Sequence, residues 1–265
     1  MIKAYEGTVI AGPCQIENVS QGIRIAEHCK KVCDSLGYDY YFKASFDKAN
    51  RSHASSDRGM GFVLGSNAIQ SVAESTKVKT CVDFHDIRQI KTVFKWGKLP
   101  DIIQIPAFLC RQTDLIREAV NTGAIVNIKK GQFLAPWDVA GILSKTGMEN
   151  VMITERGSCF GYNNLVVDFT GLVYMIKEYQ YKHGVPIVFD GTHCVQKPGG
   201  LGQSSGGNRE YVPYMLRAAA SVGVYNFFME VHEEPDKSPS DGPNILRLED
   251  FEGVLKSLKR LQNSI

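Results

Sequence analysis

The sequence lacks a long hydrophobic run, and this limits where the protein can act. Of its 265 residues, 43% are hydrophobic and 22% charged. No apolar stretch approaches the roughly 20 residues that a membrane helix needs. The first residues also lack the extended apolar segment of a secretory signal. We therefore predict a cytoplasmic protein with no membrane partner.

An excess of charge of one sign is also missing. The formal net charge is +2, and lysine and arginine form no tract. Domains that bind nucleic acids usually present a strongly basic face. We predict that nucleic acid is not a partner.

The seven cysteines include no Cys-x-x-Cys pair. Zinc knuckles and thioredoxin-like redox sites usually need that spacing. An odd number of cysteines without a secretory signal is typical of reduced thiols rather than of a disulfide framework.

The chain also lacks a Pro-, Gly- or Ser-rich linker, so we expect one domain over residues 1–265. Short runs rich in Val, Ile, Phe and Tyr recur along it and are largely apolar, as in parallel strands buried on both faces. The predicted strands are Gly7–Ala11, Tyr38–Ser45, Lys79–Phe84, Asp101–Ile105, Ala124–Lys129, Asn150–Thr154, Pro186–Asp190 and Tyr225–Glu230.

Segments with a helical pattern follow these strands. They are Ser20–Leu36, Ser66–Ser75, Asp86–Trp96, Gln112–Asn121, Pro136–Lys145, Asp168–His183, Arg209–Val222 and Glu249–Asn263. Glycine, a common helix stop, follows six of them, at Gly37, Gly97, Gly123, Gly147, Gly184 and Gly223.

Strand followed by helix, repeated eight times, is typical of an α/β TIM (β/α)8 barrel. A doubly wound sheet is the alternative. Its first strand is usually followed by Gly-x-Gly-x-x-Gly, whereas this chain has Ala-Gly-Pro-Cys at residues 11–14. We favour the barrel, whose active site would lie at the carboxyl ends of the strands.

Cations are frequent at those strand ends and indicate anionic substrates. The set is Lys43, Lys48, Arg51, Lys129 and Arg156. Arginine binds phosphate or carboxylate through two hydrogen bonds, and lysine acts as a point charge. The alternative is that some of these cations form ion pairs with Asp47, Asp83, Glu155 or Asp190.

Lys129 and Lys130 are neighbours at the end of one predicted strand. Successive side chains of a strand point to opposite faces, so only one of the two can face the barrel mouth. That lysine could bind an anion or act as a Schiff-base nucleophile, and the sequence leaves both open.

Metal-ligand residue types also end several strands. Cys14, His193, Glu230 and Asp241 offer a thiolate, an imidazole and two carboxylates. Such a mixed set suits Zn²⁺, Fe²⁺ or Mn²⁺. The alternative is ordinary packing, because a single buried cysteine is common in protein cores.

Several motifs, in order from Gly7 to Leu248, resemble one family. They are Ala11–Cys14, Phe42–Ser52, Gln104–Leu109, Arg111–Asp114, Asn127–Lys130, Glu155–Gly157, Phe160–Leu165 and Asp241–Pro243. The chain resembles the 3-deoxy-D-manno-octulosonate 8-phosphate synthase family. The resemblance implies a TIM barrel, usually a homotetramer, that condenses phosphoenolpyruvate with arabinose 5-phosphate for lipopolysaccharide-type glycans and releases inorganic phosphate.

The resemblance also implies a divalent metal. Metal-dependent members of the family have cysteine in the first-strand motif, where metal-independent members have asparagine. Cys14, together with the segments Lys130–Phe133 and Ser240–Gly242, resembles the metal-dependent form. His193, Glu230 and Asp241 are then the other expected ligands.

By resemblance, Lys129 and Arg156 hold phosphoenolpyruvate with help from Lys43, and Asn50, Arg51 and Ser52 hold the pentose phosphate. Lys48 lies near its hydroxyls, and Arg111 reaches the sugar phosphate of a neighbouring subunit. The expected substrate-binding residues are Lys43, Lys48, Asn50, Arg51, Ser52, Asp83, Gln104, Pro106, Ala107, Arg111, Lys129 and Arg156, and the expected catalytic residues are Lys43, Lys48, Asn50 and His193.

Three other functions stay open at this point. The related heptulosonate 7-phosphate synthases use erythrose 4-phosphate, but their sugar segment reads Lys-Pro-Arg-Thr, unlike residues 48–52 here. A Schiff-base lyase acting through Lys129 or Lys130 is another alternative, and a barrel that binds sugar phosphates without turnover is the third. His53 and Asp57 depart from the family pattern in the loop that follows the expected sugar-binding residues.

Overall fold

The computed structural model describes residues 7–51, 53–200 and 205–264. Eight parallel strands close into a barrel, because the first strand pairs with both the second and the last. They are β1 (Thr8–Gly12), β2 (Asp39–Lys43), β3 (Lys79–Asp83), β4 (Ile102–Ile105), β5 (Ile125–Lys129), β6 (Val151–Glu155), β7 (Ile187–Asp190) and β8 (Asn226–His232). The predicted TIM (β/α)8 barrel is confirmed.

Helices lie between the strands, as predicted. They are α1 (Val19–Leu36), α2 (Phe62–Thr76), α3 (Ile87–Lys95), α4 (Thr113–Asn121), α5 (Val139–Leu143), α6 (Phe169–Met175), α7 (Val212–Ser221) and α8 (Phe251–Gln262). The six glycines predicted as helix stops all have φ between 66° and 101°. Side chains rarely adopt such angles, which explains why glycine occurs there. No helix in the described part of the chain is long and apolar enough to cross a bilayer.

Several helical segments differ from the prediction, and three of them illustrate how. Helix α2 begins at Phe62, four residues before the predicted Ser66. Pro136 opens a 3₁₀ turn, Pro136–Asp138, ahead of the short α5. Helix α6 continues as a π-helical segment, Ile176–Tyr181. Each difference concerns an end or a local winding, so the order of elements is unaffected.

The loops at the carboxyl ends of β6 and β7 contain short antiparallel ribbons. Ser158–Cys159 pairs with Leu165–Val166, and Gln196–Lys197 pairs with Gly206–Gly207. Strands of two residues are too short to show an alternating pattern, and the sequence did not predict them.

The interior of the barrel contains an apolar layer separate from the main core, which lies between strands and helices. The layer consists of Ile10, Tyr41, Cys81, Ile102, Met152, Val188 and Phe228, all buried. Near the mouth, the backbone of β1 approaches β2 closely. A Cβ atom at Gly12 would lie 2.2 Å from the carbonyl oxygen of Lys43, so this position requires glycine.

Candidate active site

A cavity of about 450 Å³ opens at the carboxyl ends of the strands. Its lining comes from strand ends and from the long loops that follow β2, β7 and β8. The predicted site residues that line it are Lys43, Lys48, Asn50, Arg51, Asp83, Gln104, Pro106, Ala107, Lys129, Arg156, His193, Glu230 and Asp241. The barrel thus brings together residues that are up to about two hundred positions apart in the chain.

Three predicted residues are placed differently. Cys14 is fully buried at the cavity floor, where its Sγ donates to Asp241 Oδ2 at 3.4 Å. Arg111 is exposed and does not line the cavity of its own chain. Ser52 lies outside the described residues.

Lys43 forms a buried ion pair at the end of β2. Its Nζ donates to Asp83 Oδ1 at 2.7 Å and to Ser45 Oγ at 3.1 Å. Burial alone would raise the pKa of Asp83, but Lys43 and Lys48 outweigh burial and hold it well below its ordinary value. Asp83 is therefore a carboxylate at neutral pH, and its negative charge balances the positive charge of Lys43 in the ion pair.

Lys129 is paired in the same way. It donates to Asp190 Oδ2, and its Nζ lies 3.2 Å from the centroid of the Phe228 ring. Burial lowers the pKa of Lys129, while Asp190 opposes that effect. Lys43 and Lys129 thus have the carboxylate partners of the alternative interpretation and also line the cavity, so their binding of anions stays a prediction.

The neighbouring Lys130 faces away from the cavity. Its Nζ contacts Glu155 Oε2 at 3.3 Å, Leu134 O at 3.1 Å and Ser158 Oγ at 3.2 Å. The rule that only one of the two lysines can face the mouth is confirmed, and that lysine is Lys129.

Among the lysines and arginines that line the cavity, three have no carboxylate within ion-pair distance in the described part of the chain. Arg156 is buried, and its NH2 donates to Gln196 Oε1 at 2.9 Å. Its NH1 is buried and, in the described part of the chain, has no hydrogen-bond partner. Lys48 donates to Ser45 Oγ at 3.0 Å. A buried donor without a partner is costly, so Arg156 indicates a place where an anion binds.

Arg51 is the third of these cations and connects two loops. Its Nε donates to Asp57 O at 2.8 Å, within the loop after β2. Its NH1 and NH2 donate to Ser240 Oγ at 2.8 Å and Pro239 O at 2.7 Å, in the loop after β8. A guanidinium has five N–H donors, so two remain for an anion in the cavity.

Three of the four predicted metal-ligand residues lie close together. Ligand atoms of Cys14, Glu230 and Asp241 lie within 4.8 Å of one another. Glu230 Oε2 is buried without a hydrogen-bond partner among the described residues. Burial and Glu230 together raise the pKa of the Cys14 thiol well above its ordinary value. The carboxylates of Glu230, which is buried, and Asp241, which is partly buried, would repel each other and a deprotonated Cys14, and a cation among them would relieve that repulsion.

His193, the fourth predicted ligand, lies next to this cluster. Its Nδ1 lies 2.8 Å from Asp190 Oδ2, and its Nε2 lies 3.7 Å from Glu230 Oε1. In the tautomer that donates from Nδ1–H to this carboxylate, the Nε2 lone pair is directed at the other side, as in histidines that bind metals. The cluster of Cys14, Glu230 and Asp241 therefore fits a divalent metal ion, and His193 lies beside Glu230 at its edge.

Several lining residues were absent from the predicted site. They are Ser45, His85, Gln132, Asp190, Gln196 and Phe228. His85 and Asp190 follow strands and could have been included on that signal, whereas Gln196 lies within a long loop and carries no pattern. Burial lowers the pKa of His85, so its imidazole is neutral at neutral pH.

The chain is similar over nearly its whole length to known proteins. The model of the DAHP synthetase I family matches residues 3–265. A Synechococcus protein named 2-dehydro-3-deoxyphosphooctonate aldolase is 48% identical over 261 residues, which cover 97% of this chain and 89% of that protein. Proteins of the same name from Geobacter sulfurreducens and Rickettsia bellii are 48% and 46% identical over 256 residues, covering 96% of this chain and 91% and 90% of theirs.

Proposed function

The chain belongs to the DAHP synthetase I family, and on that premise we propose that it is a 3-deoxy-D-manno-octulosonate 8-phosphate synthase. It condenses phosphoenolpyruvate with D-arabinose 5-phosphate and water, and it releases inorganic phosphate. The relatives that share 46–48% of its residues all carry the name of this activity, 2-dehydro-3-deoxyphosphooctonate aldolase. The product serves lipopolysaccharide-type glycans.

One observation supports this function most strongly: Arg156, whose buried NH1 has no hydrogen-bond partner in the described chain, lines a cavity together with further cations. Both substrates carry a phosphate, and phosphoenolpyruvate also carries a carboxylate. Arg156 and Lys129 lie at the ends of neighbouring strands β6 and β5, and Lys48 and Arg51 belong to the loop after β2. The cavity thus offers two groups of cations for two anionic substrates.

We assign phosphoenolpyruvate to the first group. Arg156 binds its phosphate or carboxylate through two parallel hydrogen bonds, which also fixes its orientation. Lys129 adds a charge that Asp190 holds in place, and Lys43 assists from the side of β2. Gln104, Pro106 and Ala107 form the wall against which the substrate lies.

The second group binds arabinose 5-phosphate. We assign the sugar phosphate to Asn50 and Arg51, which line the cavity, and to Ser52, which follows them in the sequence. Lys48 also lines the cavity and is close enough to Asp83 and Asp241 to feel their charge. Burial lowers the pKa of Lys48, but Cys14 and Glu230 outweigh that effect and raise it. Lys48 therefore stays protonated and can donate hydrogen bonds to the aldehyde or hydroxyls.

The reaction joins the methylene carbon of phosphoenolpyruvate to the aldehyde carbon of the sugar. Water then attacks the cationic C2, and phosphate leaves with cleavage of the C–O bond. Holding two substrates in contact supplies roughly 7–11 kcal/mol of a barrier. Neutral His85, beside Asp83, can accept a proton from an attacking water.

Cys14, His193, Glu230 and Asp241 would hold a divalent ion of zinc, iron or manganese. Such an ion acts as a Lewis acid toward an oxygen placed beside it. Asp190 orients the His193 ring, and Ser240 Oγ donates to Asp241 Oδ2 at 2.9 Å. These contacts restrain the His193 ring and the Asp241 carboxylate.

We also propose a cytoplasmic homotetramer. Arg111 is exposed and outside the cavity of its own chain, as expected if it serves the sugar phosphate site of a neighbouring subunit.

Phosphate release from phosphoenolpyruvate tests this function. We expect release with arabinose 5-phosphate, loss of release after a chelator, and recovery when a divalent metal is added. Release with erythrose 4-phosphate at an equal rate would instead support the heptulosonate 7-phosphate synthase. Trapping of Lys129 by borohydride in the presence of substrate would support a Schiff-base lyase, and binding without release would support a barrel without turnover. Release that a chelator leaves intact would keep the synthase and contradict the metal site.

A further inference from the structure

A buried ion pair lies behind the wall of the cavity. Lys130 and Glu155 are 1% and 4% exposed, and Lys130 Nζ lies 3.3 Å from Glu155 Oε2. Neither residue lines the cavity. Each is the chain neighbour of a residue that does, Lys129 and Arg156 respectively. Lys129 and Arg156, which line the cavity, and the buried pair of Lys130 with Glu155 therefore lie at the ends of the same two strands, β5 and β6.

Lys130 connects the loops that follow β5 and β6. Its Nζ donates to Leu134 O at 3.1 Å in the first loop and to Ser158 Oγ at 3.2 Å in the second. With Glu155, these acceptors surround a side chain that is almost fully enclosed. Lys130 is therefore in no position to contact a substrate.

Glu155 holds the backbone on which Arg156 is placed. Its Oε1 accepts a hydrogen bond from the Gly157 N–H at 2.6 Å, which closes a turn around Arg156. Gly157 has φ of 90°, a conformation that favours glycine. The other oxygen of Glu155 faces Lys130. Loss of Lys130 leaves a buried carboxylate unpaired, and such a group is strongly destabilised.

The Arg156 guanidinium depends on this turn, because its side chain has few other restraints. Its NH2 contacts Gln196, and its NH1 has no partner among the described residues. We infer that Lys130 is a positioning residue for phosphoenolpyruvate: through Glu155 it fixes the turn that directs Arg156 into the cavity. This inference rests on the proposed function.

Steady-state kinetics with both substrates test the inference in three variants and a control. Lys130→Met keeps the length of the side chain and removes its charge. We expect its KM for phosphoenolpyruvate to rise roughly tenfold or more, since small misplacements of binding groups cost up to about 10²-fold. Its KM for arabinose 5-phosphate should change less than about twofold, because Arg51 and Lys48 are held by other contacts.

The other variants separate charge from shape. Glu155→Gln keeps an acceptor for the Gly157 N–H and should raise the same KM by about threefold. Lys130→Arg keeps the charge and should restore most of the affinity. Lys30→Met removes a lysine of an exposed pair with Asp34 and should change neither KM.

A lower kcat with both KM values unchanged would show a merely structural role and overturn the inference, as would equal rises in both KM values. If Lys130→Met does not fold, the same comparison of KM for phosphoenolpyruvate with KM for arabinose 5-phosphate is made in Glu155→Gln and Lys130→Arg. Calorimetric titration of phosphoenolpyruvate into each protein gives the same test without turnover. Failure of the proposed function appears in the unchanged protein, whereas failure of this inference appears only in the variants.

Discussion

The inside of the barrel has two layers whose side chains do different things. The first layer is apolar and includes Ile10, Tyr41, Cys81, Ile102, Met152, Val188 and Phe228. Two residues further along six of these strands lie Lys43, Asp83, Gln104, Thr154, Asp190 and Glu230, which are all buried and polar. Residues two apart on a strand point to the same face, so the polar layer lies directly above the apolar one.

The difference shows how a stable barrel can contain a costly site. Buried apolar side chains stabilise the fold in proportion to the area they remove from water. Buried charges cost free energy unless they are paired. In the polar layer, Asp83 and Asp190 pair with lysines, whereas Glu230 has a polar atom without a partner among the described residues. The same is true of Arg156, which lies two residues beyond Thr154. We interpret those atoms as the ones that substrate and metal satisfy.

The largest effect should follow from removal of Arg156. Arg156→Met should lower kcat/KM for phosphoenolpyruvate by roughly 10²–10³-fold, because truncating a buried charged group at a binding site costs about 2–5 kcal/mol. Thermal stability should change little, since the side chain forms one hydrogen bond within the described protein. Arg88→Met, at an exposed ion pair, is the control. An equal loss of kcat/KM in Arg156→Met and Arg88→Met would show that Arg156 does not bind the substrate.

The apolar layer should respond in the opposite way. Met152→Ala should lower the free energy of unfolding by about 3 kcal/mol, as is typical of large-to-small changes in a core. KM for each substrate should stay within about twofold, because contacts in the polar layer are retained. Urea denaturation measures the first effect and steady-state kinetics the second. The half-exposed Met148, replaced by alanine, should leave both unchanged. Selective loss of substrate affinity in Met152→Ala would contradict the separation of the layers.

Replacement of Cys14 probes the floor of the site. Cys14→Asn should lower the affinity for Zn²⁺ by roughly tenfold or more, because it replaces a thiolate, a preferred zinc ligand. Turnover need not be abolished. Competition with a chromophoric chelator gives the affinity, and Cys159→Ala, at an exposed cysteine, is the control. Unchanged affinity in Cys14→Asn would exclude this thiol as a ligand.

Acid stability should show the smallest effect. The pKa of Asp83 is depressed in the folded protein by Lys43 and Lys48 against the effect of burial. Its stabilising contribution is therefore present above the ordinary aspartate pKa, about 3.9, and is lost as pH falls below it. Asp83→Asn lacks this contribution, so its deficit in unfolding free energy should shrink by roughly 1–2 kcal/mol between pH 6 and pH 3. Urea midpoints over that range measure it. A constant deficit would mean that Asp83 does not titrate as proposed, and Asp34→Asn at an exposed position is the control.

The sequence predicted much of this architecture because the relevant signals are local. Apolar runs indicated the strands, and glycines such as Gly37 marked the helix ends. It could not show that Lys43 pairs with Asp83, since the partners belong to different strands whose register the sequence does not state. The contact of Arg51 with Ser240 joins loops far apart in the chain, so no spacing predicts it.

The neighbours Lys129 and Lys130 show the same limit. Alternation along a strand predicted that only one of the two lysines can face the cavity. The structure shows that Lys129 pairs with Asp190 and that Lys130 pairs with Glu155. The roles of the individual site residues remain proposals that the variants above test.

We propose that the cavity at the carboxyl ends of the strands holds two anionic substrates together and that the C–O bond of phosphoenolpyruvate breaks there. Phosphoenolpyruvate labelled with ¹⁸O in the bridging oxygen, with and without arabinose 5-phosphate, tests this most directly. We expect that phosphate is released only when the sugar phosphate is present and that it carries the label. Release without the sugar phosphate, or unlabelled phosphate, would contradict it.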